Sequence, residues 1–284
     1  APTLAGALVD SFGWRMIFYV PIVIMIISFV YAVIVFDNVL ETYEQKFDII
    51  SFLLSAFAFG GITLGIGNVS SKGLSDVSVF VPLAVGIVAS LFFVYRQLHM
   101  EQPFLELRTL KYRNYTLSVV GSMLLYLVMM GSSIIMPLYV QSIKGYSATV
   151  SGLVTLPGSL AMAIVSPFAG KIYDRLGMKK LFVAGAFFML ISNLGMVFLT
   201  MDMSVWLASF YNVIRCVAIG CLMMPLVTWG ISGMTEDLTA HGTALLTSLR
   251  TIAGAIGSAV FVGIMTIASN QSAEKYGSSA QIHG

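Results

Sequence analysis

Residues 116–140 read T-L-S-V-V-G-S-M-L-L-Y-L-V-M-M-G-S-S-I-I-M-P-L-Y-V and contain no charged side chain in 25 positions. About 20 apolar residues in a helix cross the hydrocarbon core of a bilayer, which is about 30 Å thick, so this stretch predicts a membrane-spanning helix. Seven further runs are predicted to span the membrane: 16–36, 49–67, 77–95, 150–169, 181–201, 205–227 and 243–268. Residues 1–9 have the composition of the end of a ninth such helix.

The composition of the whole chain excludes a soluble domain. Hydrophobic residues make up 58% of the 284 positions and charged residues 10%, whereas about a quarter of a soluble domain is charged. Mean hydropathy is +0.91. No run shows the period-2 alternation of a lipid-facing barrel strand, so an all-α membrane protein is predicted. The net charge of +2 is too small to indicate a nucleic-acid partner.

No cofactor or metal site is expected from the cysteines. Cys216 and Cys221 lie five positions apart in one apolar run, which places them about 140° apart on a helix. They cannot readily form a disulfide there, and no metal-ligand spacing surrounds them. The sequence predicts that both are free core residues.

The distribution of basic residues predicts the orientation in the membrane. No low-complexity linker divides the chain, so residues 1–284 are expected to form one transmembrane domain. When the loop at 170–180 is placed in the cytoplasm, alternation of the spans puts nine Lys and Arg residues on that side and four on the other. Cytoplasmic loops are enriched in Lys and Arg, so this orientation is favoured over its inverse.

Two of the fifteen basic residues, Arg215 and Arg250, fall inside apolar runs. A charge at the bilayer centre costs at least about 2.5–3.5 kcal/mol, and such residues normally face protein or water. One interpretation is that each arginine reaches a headgroup or fixes a helix contact. The other is that both line or gate a transport pathway, together with Asn212. Gly254 and Gly257 follow Arg250 and predict close packing of another helix there.

No acidic residue lies inside an apolar run. A proton-coupled carrier needs a protonatable carboxylate in its pathway. If this protein couples transport to protons, that carboxylate is expected outside the chain.

Helix-breaking residues are concentrated in the second half of the chain. Pro157 and Pro167 interrupt one span, and Gly220 and Pro225 interrupt another. Proline removes a backbone hydrogen bond, which is tolerated where a neighbour or a cavity satisfies the freed carbonyl. One interpretation is that such residues mark the helices that line the transport pathway, with Pro157 on the pathway. The other is that they only shape the helices, since Pro and Gly are common in membrane helices.

Tyr126 lies among the methionines of the span at 116–140. Methionine and aromatic side chains suit an adaptable apolar pocket, and they suit plain helix packing equally well. Tyr126 is therefore a second kind of candidate for the pathway.

The loop at 170–180 reads G-K-I-Y-D-R-L-G-M-K-K. This spacing resembles the cytoplasmic signature G-x-x-x-D-R-x-G-[RK]-[RK] of the major facilitator superfamily, although Met178 stands where a basic residue is frequent. Chemically, Asp174 can accept hydrogen bonds from a facing helix N-terminus, and Gly177 permits a left-handed turn. The alternative is a merely basic loop. The motif predicts a conformational latch formed by Gly170, Asp174, Arg175, Gly177, Lys179 and Lys180.

Further stretches are similar to the fourteen-helix drug:proton antiporters of that superfamily. A-P-T-L-A-G (1–6) resembles the end of the antiporter motif G-P-x-x-G-G on the fifth helix; Pro2 and Gly6 match it, while Ala1 and Ala5 replace glycines. Residues 145–160, 212–225 and 246–257 are typical of the same branch. Arg215 and Arg250 fall on the family's arginines, whereas Thr247 and Cys216 depart from the usual Asn and Gly.

The resemblance implies a division of the chain. Residues 1–36 would end the N-terminal bundle, 37–115 would hold the extra central helix pair and a cytoplasmic linker, and 116–268 would form the C-terminal bundle. Residues 269–284 would be an extracytoplasmic polar tail. On this alignment the chain begins in the fifth helix and ends before the last.

The resemblance also implies a function. A major facilitator fold works by alternating access between two bundles, and this branch exports lipophilic, often cationic, drugs in exchange for protons across the bacterial cell membrane. The expected partners are therefore a small-molecule substrate, protons and the lipid bilayer, and the protein is expected to be a carrier rather than an enzyme. Two alternatives stay open. One is a same-fold exporter of an amino acid, siderophore or lipid-like solute, and the other is an inactive fragment.

Overall fold

The structure is a computed structural model that describes residues 2–35, 48–72, 76–100, 103, 105–198 and 203–276. All the regular structure in these ranges is helical. The helices are α1 (Pro2–Phe12), α2 (Met16–Val35), α3 (Ile49–Lys72), α4 (Val77–His99), α5 (Arg113–Leu138), α6 (Ala148–Val197), α7 (Val205–Ile231) and α8 (Glu236–Tyr276), with a 3-10 helix at Leu107–Lys111 and a π-helical turn at Tyr139–Ile143.

The predicted fold class is confirmed by the described part of the chain. Seven helices, α2 to α8, are long and apolar enough to cross a membrane. Helices form there because every backbone N–H and C=O must find its partner within the segment when no water is at hand. Several helices extend beyond the ends of the predicted spans. In particular, α8 continues as helix to Tyr276, into the stretch that was predicted to be a polar tail.

Helix α6 is two helical segments joined by a sharp turn at Gly177, within residues 170–180, where the sequence predicts a loop between two spans. Its 50 residues would extend about 75 Å at 1.5 Å per residue, far more than one bilayer. Gly177 interrupts it with φ 72° and ψ 159°. We call residues 148–176 the first arm and residues 178–197 the second arm.

Contacts with α7 show that the two arms run in opposite directions. In the first arm, the Val154 carbonyl accepts from the Ser209 hydroxyl at 2.6 Å, and Gly158 lies against Asn212. The first arm and α7 therefore run in the same direction. In the second arm, Gly185 lies against Leu222, while the Ser192 hydroxyl donates to the Tyr211 carbonyl at 2.7 Å. The arms are therefore antiparallel, with α7 packed along both.

Glycine enables the reversals between successive helices. Among the described residues, three have positive φ, and all are glycines: Gly13 between α1 and α2, Gly145 between α5 and α6, and Gly177 within α6. Left-handed backbone costs other L-residues roughly 1–2 kcal/mol. The role predicted for Gly177 in the turn is thus confirmed by its backbone angle.

Helices α5 to α8 form one bundle with a continuous apolar core. Leu125 of α5, Leu181 of the second arm and Ile219, Leu222 and Leu226 of α7 are buried together. Helix α8 comes close to α5 because Gly257 leaves room for the backbone of Leu127. The close packing that the small-residue stripe predicts on α8 is confirmed.

Helices α3 and α4 form a hairpin beside this bundle. Gly61 and Gly86 bring their backbones into contact, because neither carries a side chain. Leu54 of α3 and the buried Phe93 of α4 then join Leu245 and Leu246 of α8 in a second core. The hairpin is attached to the bundle through α8.

A polar network fixes the end of this hairpin nearest the linker. Arg96 donates three bonds to Asp48, the shortest being 3.1 Å, and the buried Gln97 side chain donates to Ser51 at 2.7 Å. Gln97 also accepts from the Leu105 N–H at 3.0 Å, so the linker is held to α4. Hydrogen bonding from Ser51 and the neighbouring Arg96 guanidinium lower the pKa of Asp48 to about 2, against an opposing effect of burial.

Helices α1 and α2 lie at the edge of the described structure. No residue of α2 is buried, and its apolar side chains, such as Met25 and Phe29, are exposed. Helix α1, by contrast, packs against α6. The contact between α1 and α6 thus connects α1 and α2 to the bundle.

Candidate functional site

Arg215 and Asn212 are brought together on α7. The guanidinium Nη2 donates to Asn212 Oδ1 at 2.5 Å, and the two residues are 8% and 3% exposed. Asn212 is the only described residue to which Arg215 hydrogen-bonds. The amide oxygen offsets part of the cost of burying the charge, so Arg215 lies inside the bundle with a partner from its own helix.

An apolar gap lies beside Arg215, between α5 and the second arm of α6. It is a cavity of about 400 Å³ lined by Val128, Met136 and Asn193 among others. A separate cavity of about 600 Å³ lies between the same two helices near Arg113 and Lys179. We assign no solute to either cavity.

Arg250 and Tyr126 meet at the crossing of α8 and α5. The guanidinium carbon of Arg250 lies 5.3 Å from the centre of the Tyr126 ring, which is the geometry of a cation–π contact. Gly254, one turn further along α8, lies against the same ring. The structure therefore joins two of the residues that the sequence singled out separately.

Pro157 lies in the first arm of α6, next to the contact with α7. Its neighbour Gly158 faces both Asn212 and Cys216, and a Cβ there would come within 3.0 Å of each. The five predicted pathway residues thus fall into two groups. Pro157, Asn212 and Arg215 lie between α6 and α7, while Tyr126 and Arg250 lie between α5 and α8.

The six predicted latch residues surround the Gly177 turn. Asp174, Arg175, Lys179 and Lys180 are exposed there, as are the two glycines. Neither Asp174 nor Arg175 makes an ion pair or side-chain hydrogen bond with any residue that the structure describes. Their role as a latch stays a prediction.

Gly6 lies at a close contact between α1 and α6. A Cβ at this position would overlap the backbone carbonyl of Ala148, so only glycine lets the two helices approach so closely. Pro2 lies in the first turn of the same helix, and its side chain is outside the described residues. The assignment of Pro2 and Gly6 to the antiporter motif stays a prediction.

Asp10 reinforces this contact, and sequence reasoning missed it. Its Oδ2 accepts from the Thr149 N–H at 2.8 Å and from the Thr149 hydroxyl at 2.5 Å, so it caps the N-terminal turn of α6 from another helix. The Thr149 hydrogen bonds lower the pKa of Asp10. The signal was available, because Asp10 follows Gly6 by four residues and therefore shares its helix face.

Comparison with known proteins adds a family and named relatives. A model of the Major Facilitator Superfamily matches residues 1–258. The MFS-type transporter YcnB of Bacillus subtilis (strain 168) is 36% identical over 273 residues, which cover 96% of this chain and 57% of YcnB. The lincomycin resistance protein LmrB of the same organism is 33% identical over 268 residues, covering 93% of this chain and 56% of LmrB.

Another similar protein is named for a different solute. The riboflavin transporter RibZ of Clostridioides difficile (strain 630) is 29% identical over 265 residues, covering 92% of this chain and 56% of RibZ. The chain spans little more than half the length of these curated relatives.

Proposed function

The chain belongs to the major facilitator superfamily, and from this premise we propose that it is part of a transporter that exports lipophilic drugs in exchange for protons. As a member of this family it is a multi-pass protein of the cell membrane that serves transport. The resemblance to the superfamily that the 170–180 loop predicts is confirmed. Drug export, proton coupling and the substrate are proposals.

The observation that carries the proposal is the likeness to LmrB over 93% of this chain. The surroundings of Arg215 and Arg250 are consistent with export of lipophilic drugs, because the spans contain few polar groups and these lie among apolar side chains. Binding sites for lipophilic molecules are mainly apolar with a small number of placed polar groups. Tyr126 and the methionines near it, Met129 and Met130, supply adaptable apolar surface beside Arg250.

The proposed mechanism is alternating access between two bundles. The α1–α6 contact at Gly6 and Asp10 would close one end of the transporter, and the charged loop around Gly177 would form a latch at the other. The proton would be carried by a carboxylate outside this chain, because no Asp or Glu lies in an apolar run here. In this scheme Arg215 and Arg250 line or gate the pathway.

The test is export by the full-length transporter that contains this chain, expressed in a bacterium that lacks its own efflux pumps. We expect lincomycin tolerance to rise, and export of a lipophilic dye from energised cells to stop when a protonophore collapses the proton gradient. An Arg215→Ala variant should lose most of the export, whereas Arg215→Lys should retain part of it, because lysine keeps the charge but not the planar fork. Normal export by both variants would show that Arg215 is a structural anchor.

A second candidate function is transport of a more polar solute, which the likeness to RibZ favours. Transport assays in the same cells distinguish drug export from transport of a polar solute. Riboflavin transport without any drug or dye export would overturn drug efflux in favour of this candidate, and export of both would show a broad specificity.

A further inference from the structure

The crossing of α5 and α8 holds the Arg250 side chain in a defined place. Gly257 lets α8 touch the α5 backbone at Leu127, and a Cβ at Gly254 would come within 2.8 Å of the Tyr126 ring. Arg250 precedes Gly254 by one turn, so its side chain lies over Tyr126, 5.3 Å from the ring centre. The contact with the ring uses none of the hydrogen-bond donors of the guanidinium, which are left for another group.

The donors on that edge have no partner among the described residues. Arg250 Nε is enclosed by protein and makes no hydrogen bond. Ser122 Oγ, one turn before Tyr126 on α5, is also enclosed without a partner, and Ser122 is 6% exposed. Both groups line the same small cavity, of about 10 Å³, beside Met223 of α7. The cavity has room for about one water molecule, which can bridge the two unpaired groups, whereas the rest of the Arg250 side chain is partly exposed and can reach a larger group.

The chemistry of these groups selects the ligand. A guanidinium carries a permanent charge and offers only donors, and a hydroxyl can donate as well. The strongest partner of such a set is a carboxylate or another oxyanion. A cationic group is excluded from this point by repulsion, since the described spans hold no acidic side chain to offset Arg250.

Arg215 does not offer the same site. Its guanidinium already donates to Asn212 Oδ1, and Arg215 is buried, whereas Arg250 is partly exposed. The two intramembrane arginines, equivalent in the sequence, are therefore distinct in the structure.

We propose that Arg250, held on Tyr126 and assisted by Ser122, binds an oxyanion. The oxyanion is either a carboxylate of the transported molecule or the carboxylate of an acidic residue elsewhere in the full-length transporter. This inference rests on the proposed transport function. It deepens that function because it states which chemical group binds at Arg250: a carboxylate or another oxyanion.

The experiment uses purified full-length protein in nanodiscs and two dyes built on the same tricyclic frame, anionic carboxyfluorescein and cationic rhodamine 123. Dye affinity is measured by fluorescence anisotropy, and the Tm is measured without dye. The variants are Arg250→Gln, Arg250→Lys and Ser122→Ala. Arg108→Gln removes one exposed positive charge outside the membrane and serves as the matched control, with no change expected. Neither dye affinity nor the Tm requires transport. The result is therefore independent of whether the export assay succeeds.

If the substrate supplies the oxyanion, Arg250→Gln weakens carboxyfluorescein binding at least tenfold, with the dye-free Tm and the affinity for rhodamine 123 unchanged. Arg250→Lys then recovers part of the affinity, and Ser122→Ala loses a smaller part. If the transporter itself supplies the carboxylate, Arg250→Gln lowers the dye-free Tm and Arg250→Lys restores much of it. The proposal is overturned if Arg250→Gln leaves both measurements unchanged, or if the Gln and Lys variants lower the Tm equally while both dyes bind as before.

Discussion

The two ends of the first arm of α6 each face a carboxylate, and they differ in what that carboxylate contacts. At the beginning of the arm, Asp10 of α1 accepts two hydrogen bonds from Thr149, and Gly6 brings the two helix backbones together. At the far end, Asp174 lies exposed before the Gly177 turn, and no residue in the described ranges bonds to it. One carboxylate has a partner within this chain, whereas the other has none among the described residues.

From the sequence, Asp174 is the more important of the two acids; from the structure, Asp10 is. Asp174 stands in a recognisable motif, and Asp10 does not. The structure gives a physical role to Asp10, since an anion at a helix N-terminus is stabilised by free N–H groups and by the helix dipole. We therefore expect disturbance of the α1–α6 contact to have larger effects than disturbance of the Gly177 loop.

The largest effect is expected for Gly6→Leu in the full-length protein. The new side chain would overlap the Ala148 carbonyl, which belongs to the backbone and cannot rotate away. Overpacking of this kind costs about 1–3 kcal/mol, so export at equal membrane abundance should fall about tenfold or more. Gly60→Leu is the matched control, because Gly60 is also inside a helix but has open space around it. Equal export by the two variants would show that the α1–α6 approach is not needed for transport.

An intermediate effect is expected for Asp10→Ala. The exposed carboxylate contributes modestly, since exposed charge interactions are screened by water, and export should fall about threefold. Thr149→Val removes the hydroxyl partner, so the double variant should lose little more than Asp10→Ala alone. Because the hydrogen bonds lower the pKa of Asp10 below 3.8, their contribution is present above that pH and is lost as pH falls through the lowered pKa. Fully additive losses would show that Asp10 and Thr149 do not act together.

The smallest effect is expected for Asp174→Asn. The amide keeps the size and hydrogen-bonding capacity of the side chain and removes only the charge, so export should fall about twofold while membrane abundance stays normal. Lys171→Gln removes a charge at a position of the same loop outside the motif and should leave export unchanged. If the loss for Asp174→Asn exceeded that for Asp10→Ala, the latch would dominate and our ranking of the two ends would be wrong.

Several features of the site were predictable because they depend on local chemistry. Gly177 takes the positive φ that its place in a turn requires, and Gly254 and Gly257 allow the close crossing of α5 and α8. The pairing of Tyr126 with Arg250 was not predictable, although both residues were singled out. They lie 124 positions apart in the sequence, and only the packing of α8 on α5 brings them together.

The sequence by itself determined the fold class, because the bilayer imposes one requirement on every residue of a span: apolar side chains on a helix of sufficient length. It also singled out the two intramembrane arginines, since a charge there is costly wherever the helix packs. Only the tertiary structure decided which arginine has a partner, that Asp10 caps α6, and that the α3–α4 hairpin is attached through α8. Those outcomes depend on which faces of distant helices meet, and in membrane helices that are apolar on most sides the hydrophobic pattern does not specify the meeting face.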